Sequence, residues 1–424
     1  MYSLDRWLSY LHHLHARDVE LGLQRIRQVW QALGTPSLAP CVISVGGTNG
    51  KGSTVALLQA MLAASGRRVG VYTSPHLIRY TERVQIAGVE ASAEDFCIAF
   101  ERIEQARGQI TLTYFEFGTL AAFLLFAQAD LDVAILEVGL GGRLDAVNLL
   151  DADASIVTTV DLDHQDWLGT DRDSIGREKA GIFRAGRPAL IGDHAPPDGL
   201  LDIAAAMQVD LIRAGVAFRA VVGGENWRFR YGSTDLLLPR PALPGARQLD
   251  NAAVAVACLH SLRERLGWQP EALAEGLRSV RLAGRLQVLA DTPQLLVDVA
   301  HNPQAAQVLA TWLQEHPRTG HSVAVFSALA DKDITGIAQV LQALISTWHV
   351  VPILDAGPRG LDAASVAARL GKVAGVGHIR THGDLPEALA AARQSCCASD
   401  RIVVFGSFHV AGALLAQIAA EAAL

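Results

Sequence analysis

Ten residues set the architecture of this chain: Val45-Gly46-Gly47-Thr48-Asn49-Gly50-Lys51-Gly52-Ser53-Thr54. They follow a short β-branched run at 41–45 and open a helical pattern at 56–64. Glycines let backbone N–H groups face an anion, and a helix N-terminus and a lysine add positive charge beside them. A strand, this turn and a helix in succession therefore predict a cradle for the phosphates of a nucleoside triphosphate.

The loop differs at two positions from the commonest phosphate-binding pattern, G-x4-G-K-[ST]. That pattern has a glycine where this chain has Val45 and a hydroxyl where it has Gly52; here the hydroxyls come at Ser53 and Thr54. The alternative is a plain glycine turn between a strand and a helix. A lysine within a run of glycines favours the phosphate loop.

Composition narrows the class of protein and its partners. The 424 residues can form two or three domains, and half of them are hydrophobic, as in ordinary globular proteins. A net charge of −7 argues against nucleic acid and anionic membranes as partners. The five cysteines form no C-x-x-C pair, the first residues show no basic start followed by an apolar run, and the longest apolar run covers only 120–127. These three features indicate a cytoplasmic protein. We expect a monomer.

Short β-rich runs alternate with helical patterns in the first part of the chain. The candidate strands span 41–45, 69–72, 133–138 and 155–160. This alternation predicts an α/β domain with a mostly parallel sheet. From 217 to 238 the pattern changes to an antiparallel insertion with glycine turns, and a helix follows at 251–266.

A second set of strands follows, and it needs its own core. Its members span 295–299, 323–326, 350–354 and 402–405. We therefore predict an N-terminal P-loop ATPase domain at 1–283 and a smaller C-terminal Rossmann-like α/β domain at 284–424.

Candidate ligand-binding groups follow the strands of the first domain. Ser74 comes after the second strand, Glu137 ends the apolar run 131–136, and His164 follows the fourth. Ligands of open α/β sheets bind at the carboxyl ends of the strands, and Mg²⁺ prefers oxygen ligands. The alternatives are an ion pair of Glu137 with Arg143 or a cap on the next segment, a solvated His164, and a Ser-Pro turn at Ser74.

The variant G-T-N-G-K-G-S resembles the ATP loop of the Mur ligase superfamily, and most of all its folate branch. Further matches to that branch lie at 20–25, 113–117, 178–183, 298–303, 332–333 and 406–409. The resemblance covers nearly the whole chain. One departure is Arg247, where family members often have histidine before the ATP-binding asparagine.

The resemblance implies ATP and two magnesium ions as cofactors, and a monovalent cation beside them. The residues that it assigns to ATP are Thr48, Asn49, Gly50, Lys51, Gly52, Ser53, Asn251, Arg285 and Asp298. The metal ligands that it implies are Ser74, Glu137, His164 and a carbamylated Lys179. The alternative for Lys179 is an exposed helical lysine paired with Glu178 or Asp173.

The resemblance also assigns the other substrates. It places His301 and Ser407 toward an incoming L-glutamate, and it makes Lys51, Lys179 and His301 the catalytic residues. The alternative for His301 is a cap on the helix that begins at 302–303. In the same branch, the pterin is bound by residues that match Glu20, Leu21, Gly22, Leu23, Thr113, Tyr114, Phe115, Glu116, Leu144, Asp145 and Ala146.

The pterin assignment agrees with the chemistry of these side chains. Aromatic and aliphatic groups can hold a flat pterin, while Glu116 or Asp145 could accept its N–H donors. For Tyr114, Phe115 and Phe117 the alternative is ordinary core packing.

The function implied is ATP-dependent addition of L-glutamate to dihydropteroate and to reduced folates through an acyl phosphate. Three alternatives stay open: extension of the folate glutamate tail alone, ligation of a muramyl peptide, and a nucleotide switch without ligase activity.

Overall fold

An eight-stranded sheet forms the centre of the first half of the chain, and the glycine-rich loop leaves from its middle. The strands are β1 (Cys41–Gly46), β2 (Val69–Tyr72), β3 (Val84–Ile86), β4 (Val89–Glu90), β5 (Val133–Glu137), β6 (Ala154–Val157), β7 (Pro188–Ile191) and β8 (Asp210–Arg213). Their order is β4-β3-β2-β5-β1-β6-β7-β8, and only the pairs β2-β3 and β3-β4 are antiparallel. The predicted mostly parallel sheet is confirmed in this computed structural model, which describes residues 2–17 and 19–422.

Strand β1 is buried along its whole length because β5 and β6 flank it and helices cover its faces. Its register pairs Val45 with Glu137 and Gly46 with Val157. The carboxyl ends of three strands therefore meet at the glycine-rich loop.

The helices of the same unit pack on both faces of the sheet. They are α1 (Leu4–Leu14), α2 (Gln24–Ala32), α3 (Lys51–Ala64), α4 (Ala93–Arg107), α5 (Tyr114–Ala127), α6 (Gln165–Leu168), α7 (Arg172–Ala180), α8 (Asp198–Ala206), α9 (Gln248–Ser261), α10 (Arg263–Leu266) and α11 (Pro270–Ser279). Short 3-10 turns occupy Tyr80–Arg83 and Ala146–Leu149. The single helix predicted at 251–266 is two helices, α9 and α10.

The antiparallel insertion is a separate three-stranded sheet. Its strands are β9 (Phe218–Gly223), β10 (Asn226–Tyr231) and β11 (Thr234–Pro239), in the order β11-β10-β9. Trp227 and Phe229 alternate with exposed arginines along β10 and bury one face of this sheet.

The C-terminal part has its own six-stranded sheet. The strands are β12 (Gln287–Asp291), β13 (Gln294–Val297), β14 (Ser322–Phe326), β15 (Thr347–Val350), β16 (His378–Thr381) and β17 (Arg401–Phe405), in the order β12-β13-β17-β14-β15-β16. The helices are α12 (Pro303–Glu315), α13 (Ile334–Leu341), α14 (Ala363–Leu370), α15 (Leu385–Ser395) and α16 (Phe408–Ala422), with a 3-10 turn at Gly357–Arg359. Only β12 pairs in the antiparallel sense. A second α/β unit was predicted, and it is present.

One predicted strand was misplaced. The sequence suggested 350–354, whereas β15 is Thr347–Val350 and carries the fully buried Trp348 and His349. Pro352 cannot donate to a neighbouring strand, so the chain leaves the interior of the sheet before it. The polar residues of β15 weaken its apolar pattern, so the sequence did not indicate a strand there.

The chain crosses between the two units more than once. The first unit ends at Ala242 and resumes from Gln248 to Arg281, while the second holds Leu243–Arg247 and continues from Leu282. The sequence suggested one crossing, after residue 283. The short segment 243–247 carries no pattern that reveals which unit it joins.

Candidate active site

Lys51 begins α3, and its ammonium is held by the loop that precedes it. The Nζ atom donates to the carbonyl oxygens of Gly47 and Thr48 at 3.0 and 3.2 Å. Two hydrogen bonds connect the loop to the segment after β6: Thr48 N donates to Thr159 O at 2.8 Å, and Asn49 N donates to Thr159 Oγ1 at 3.1 Å. These hydrogen bonds hold the loop in one conformation and keep the Lys51 side chain alongside it.

Two glycines of the loop cannot be replaced without a clash. Gly47 has φ +141°, and a Cβ there would overlap the side chain of Thr158. Gly50 has φ +88°, and a Cβ there would lie 2.6 Å from Asn251 Oδ1. Asn251, predicted to contact ATP, therefore packs directly on the loop, and its Nδ2 donates to Gln248 Oε1 at 3.0 Å.

The structure brings Ser74 and Glu137 together beside this loop. Glu137 ends β5 with 5% of its surface exposed, and the backbone N–H of Ser74 donates to its Oε2 at 3.3 Å. Arg143 pairs instead with Glu178 at 2.8 Å, so the alternative ion pair of Glu137 with Arg143 is wrong. A buried carboxylate at a strand end is a suitable cation ligand.

His164 follows β6 and has φ +51° at the start of α6. Its backbone N–H donates to Asp163 Oδ1 at 2.8 Å, and its Nε2 lies 4.0 Å from the same oxygen. Asp163 was not among the predicted site residues. The sequence did show it beside His164, but adjacency in a loop does not reveal which way a carboxylate faces.

Lys179 is buried on α7 with 4% of its surface exposed. The exposed-lysine alternative is therefore wrong; its proposed partners are engaged elsewhere, Glu178 with Arg143 and Asp173 with the backbone N–H of Gly199. Burial is the main cause that lowers the pKa of Lys179 to about 7, and the charge of Lys51 acts in the same direction. The lowered pKa increases the neutral fraction of this amine.

Three chain segments predicted to bind the pterin converge. The Gly22 N–H donates to Leu144 O at 3.3 Å, and Arg25 Nη2 donates to Glu116 Oε1 at 3.1 Å. The guanidinium of Arg25 also binds the side chain of Glu20. Arg25 thus joins two of the segments. It was not among the predicted site residues, because its position in a helix indicates neither partner.

The two predicted acceptors for pterin N–H groups differ in their surroundings. Asp145 is buried, accepts from the backbone N–H groups of Leu140 and Val147 at 2.8 and 2.9 Å, and burial raises its pKa to about 6. Glu116 accepts from Thr113 N at 2.8 Å in the capping box that starts α5.

Aromatic side chains line the same region. Tyr114 and Phe115 are half-buried, and the rings of Tyr72 and Phe115 stack with centroids 6.1 Å apart. Gly139 gives Phe115 room, because a Cβ at residue 139 would lie 2.7 Å from Phe115 Cζ. Phe117, in contrast, is fully buried in the main hydrophobic core, so the core-packing alternative holds for that residue.

In the C-terminal unit, Asp298 follows β13 and is buried. Its Oδ2 accepts from Leu286 N at 2.8 Å and its Oδ1 from Ala300 N at 2.7 Å. Burial raises the pKa of this carboxyl, and the nearby Arg285 opposes the shift. Asp298 therefore fixes the two chain segments that carry Arg285 and His301.

His301 does not cap the following helix, so that alternative is wrong. Asn302 is the cap, with its Oδ1 accepting from Ala305 N at 2.9 Å. The Nδ1 of His301 donates to Val299 O at 2.8 Å, since a carbonyl only accepts. This bond leaves Nε2 as the acceptor nitrogen of the neutral ring.

Phe408 links the remaining predicted residues of this unit. The guanidinium of Arg285 lies 5.3 Å from its ring centroid, and the His301 ring lies 5.9 Å away. Ser407 is buried, and its Oγ accepts from Val410 N at 3.1 Å. These residues collect at the carboxyl edge of the neighbouring strands β13 and β17.

Within residues 2–17 and 19–422, no group of three or more His, Cys, Asp or Glu side chains is arranged to hold a metal ion, and no helix has the length and apolar character to cross a membrane. The predicted metal set contains only two side chains of those types, Glu137 and His164.

The sequence matches two known families. The Mur ligase middle domain matches residues 45–259, and the glutamate ligase domain of the Mur ligases matches residues 284–408. Together they span the glycine-rich loop, the Glu137 region and the Asp298 region.

Individual proteins are similar over nearly the full chain. A dihydrofolate synthase/folylpolyglutamate synthase of Escherichia coli K12 is 43% identical over 99% of this chain and 96% of its own. The structure of E. coli FolC in complex with DHPP and ADP has a TM-score of 0.92 at 43% identity, covering 99% and 98% of the two chains. A bifunctional folylpolyglutamate synthase/dihydrofolate synthase with Mn, AMPPNP and L-glutamate bound has a TM-score of 0.90 at 45% identity, covering 99% and 98%.

Proposed function

The chain belongs to the Mur ligase family, in the branch of the dihydrofolate synthase/folylpolyglutamate synthases, and we propose that it adds L-glutamate to dihydropteroate and to reduced folates with ATP. The observation that supports this most directly lies in the first unit. There, a phosphate loop, a buried carboxylate at the adjacent strand end and a cluster of aromatic and acidic side chains occur in one fold.

We assign ATP to the glycine-rich loop, with Thr48, Asn49, Gly50, Lys51, Gly52 and Ser53 around its phosphates. Asn251, which packs on Gly50, joins them. Arg285 and Asp298 are assigned to ATP on family resemblance alone. Lys51 offsets negative charge on the phosphoryl group that is transferred.

We assign a divalent cation, in the cell magnesium, to Ser74, Glu137 and His164. The buried Glu137 carboxylate fits such an ion because it ends a strand beside the phosphate loop and does not pair with Arg143. The ion would neutralise charge on the phosphates. A monovalent cation is included in the proposal on family resemblance alone.

We infer that Lys179 is carbamylated and supports a second magnesium ion. A neutral amine attacks the carbon of CO₂ through its lone pair and loses one proton, which gives an anionic carbamate. The burial that lowers the pKa of Lys179 to about 7 favours this neutral form. An unmodified ammonium in the same place would repel a metal.

The reaction has two steps. A carboxylate oxygen of dihydropteroate attacks the γ-phosphorus of ATP, the bond to the bridging oxygen breaks, and ADP leaves. The amine of L-glutamate then attacks the acyl carbon, loses a proton, and phosphate departs with the C–O bond electrons. We place His301 and Ser407 toward glutamate, where the acceptor Nε2 of His301 can receive that proton.

The pterin is assigned to Glu20, Leu21, Gly22, Leu23, Thr113, Tyr114, Phe115, Glu116, Leu144, Asp145 and Ala146. The half-buried rings of Tyr114 and Phe115 can stack on it, and Asp145 can accept its N–H groups. We also propose that the protein is a monomer. Its five cysteines are all free thiols, which fits a reducing compartment.

The test is ATP turnover with dihydropteroate and with tetrahydrofolate, each with and without L-glutamate, and mass spectrometry of the products. We expect ADP and a product one glutamate longer in both complete reactions. If tetrahydrofolate is the only one of the two substrates that gives a product, the function is folylpolyglutamate synthesis without dihydrofolate synthesis. Hydrolysis with no amide product from either substrate would exclude ligation of folates.

A further inference from the structure

Arg83 is a buried arginine of the first unit. It ends the 3-10 turn Tyr80–Arg83, and only 8% of its surface is exposed. Its Nε donates to His76 Nδ1 at 2.9 Å. Across residues 2–17 and 19–422, no Asp or Glu forms an ion pair with it. A buried charge without a counter-ion is destabilising unless something else compensates it.

Aromatic rings give part of that compensation. The Arg83 guanidinium lies 5.1 Å from the ring centroid of Tyr80 and 5.5 Å from that of Tyr114. Such contacts stabilise the cation through the ring faces. These ring contacts do not use the N–H donors of the two Nη atoms of Arg83. The described part of the chain provides no hydrogen-bond acceptor for those donors.

His76 orients Arg83 without adding charge. Because the Nε–H of Arg83 donates, Nδ1 of His76 must accept, which makes His76 a neutral ring with its proton on Nε2. The contact fixes one edge of the guanidinium and leaves the other edge, with its paired donors, for a planar anion.

The position of Arg83 connects two parts of the proposed site. On one side, His76 lies two residues after Ser74, and the backbone N–H of Thr73 donates to Arg83 O at 2.9 Å. On the other side, Tyr114 belongs to the proposed pterin pocket. The guanidinium therefore lies between the aromatic pocket and the loop that carries a proposed metal ligand.

We propose that Arg83 binds the carboxylate of the pterin substrate that is converted to the acyl phosphate. This inference rests on the proposed function. A substrate whose rings lie in the aromatic pocket must extend its carboxylate toward the phosphate loop, and the Arg83 guanidinium lies beside both Tyr114 of that pocket and His76 of the loop after β2. A guanidinium stays charged at every physiological pH and binds a carboxylate through two parallel hydrogen bonds, which fixes the direction of the reacting oxygen.

The test compares the binding of dihydropteroate with that of its methyl ester, which keeps the rings but lacks the charge. Dissociation constants are measured by fluorescence without ATP for wild type, Arg83→Gln and Arg79→Gln. Arg79 is the matched control, because it lies in the same segment but is exposed and pairs with Glu90 at 2.8 Å. Wild type and Arg79→Gln should prefer the acid by about ten- to hundredfold, as expected for a charged hydrogen bond. Arg83→Gln should bind acid and ester equally.

An unchanged acid preference in a folded Arg83→Gln protein would overturn the proposal. Retained ADP binding and an unchanged far-ultraviolet spectrum establish the fold. A wild-type crystal with dihydropteroate gives an independent answer if the variant does not fold: the carboxylate should lie about 2.7–2.9 Å from the guanidinium. A carboxylate out of reach of Arg83 would reject the assignment. Failure of the wild type to make dihydrofolate would instead reject the proposed function.

Discussion

The side chain of Asn251 fills the space in front of Gly50, so that a Cβ at residue 50 would lie 2.6 Å from Asn251 Oδ1. The two residues are far apart in sequence but form one wall of the phosphate loop. Helix α9 therefore determines the shape of a loop at the start of α3.

This contact predicts that Gly50→Ala abolishes nucleotide binding. Gly88 provides the control, because its φ of +80° is close to the +88° of Gly50 but a Cβ there would meet nothing within 4 Å. Both substitutions should lower the free energy of unfolding by about 1–2 kcal/mol through backbone strain. Only Gly50→Ala should lose ADP binding in calorimetry. Equal ADP affinity in both variants would show that the loop can move away from Asn251.

Replacement of Lys51 by alanine should reduce ligation by on the order of a hundred- to a thousandfold, because it removes the cation of the phosphate loop. The fold should persist, since Lys51 contacts loop carbonyls and no hydrophobic core. Lys372→Ala, at an exposed position, should keep full activity. Near-normal ligation by folded Lys51→Ala would contradict the assignment of the loop to ATP.

Glu137→Gln removes a charge and little volume. We expect a weaker dependence of the rate on magnesium and a large loss of kcat, while the free energy of unfolding stays the same or rises, because a buried carboxylate is lost. Magnesium titration of the initial rate and thermal unfolding measure the two effects. Glu90→Gln, at a partly exposed ion pair, is the control. An unaltered magnesium titration would make Glu137 structural.

Carbamylation of Lys179 should respond to bicarbonate and to pH. The pKa of about 7 means that the reactive neutral amine increases as pH rises from 6 to 8 and is scarce below 6. Intact-protein mass and activity should rise with bicarbonate over that range, and Lys179→Ala should lose both responses. Short carboxylates should restore part of its activity. A bare ammonium at Lys179 in a high-resolution map of an active crystal would reject the idea.

Phe115→Ala should impair dihydrofolate synthesis more than tail extension. Dihydropteroate has little besides its rings and one carboxylate to hold it, whereas a folate gains further contacts through its glutamate. We expect a roughly ten- to hundredfold loss in kcat/KM with dihydropteroate, equivalent to about 1–3 kcal/mol. Phe117→Ala, in the core, should instead lower the free energy of unfolding by about 3–5 kcal/mol. Equal losses with both substrates would argue against separate recognition.

Local patterns explain what the sequence could predict. The glycine-rich loop, the parallel strands and the position of Glu137 at a strand end all depend on residues close together in the chain. Because parallel strands share a carboxyl edge, order along the chain is enough to predict that Ser74 and Glu137 lie together.

Contacts across long sequence separations could not be predicted in this way. Arg25 reaches Glu116 and Arg83 reaches Tyr114 through folding of separate segments, and no spacing in the sequence indicates either contact. The edge strands β12 and β16 are largely exposed and lack an apolar pattern. Burial of Lys179 likewise depends on its neighbours in space.

The return of the chain to the first unit at Gln248 has a consequence for protein synthesis. Strands β1 to β8 have all been synthesised once the chain reaches residue 213, but α9 and α11, which pack on α3, begin only at residue 248. Helix α3 is apolar on most of its surface, with Val55, Leu57, Leu58 and Met61 all buried in the finished fold. A nascent chain that stops short of α9 therefore exposes the face of this helix that α9 and α11 cover, and the nucleotide loop matures only when more than half of the polypeptide has been made.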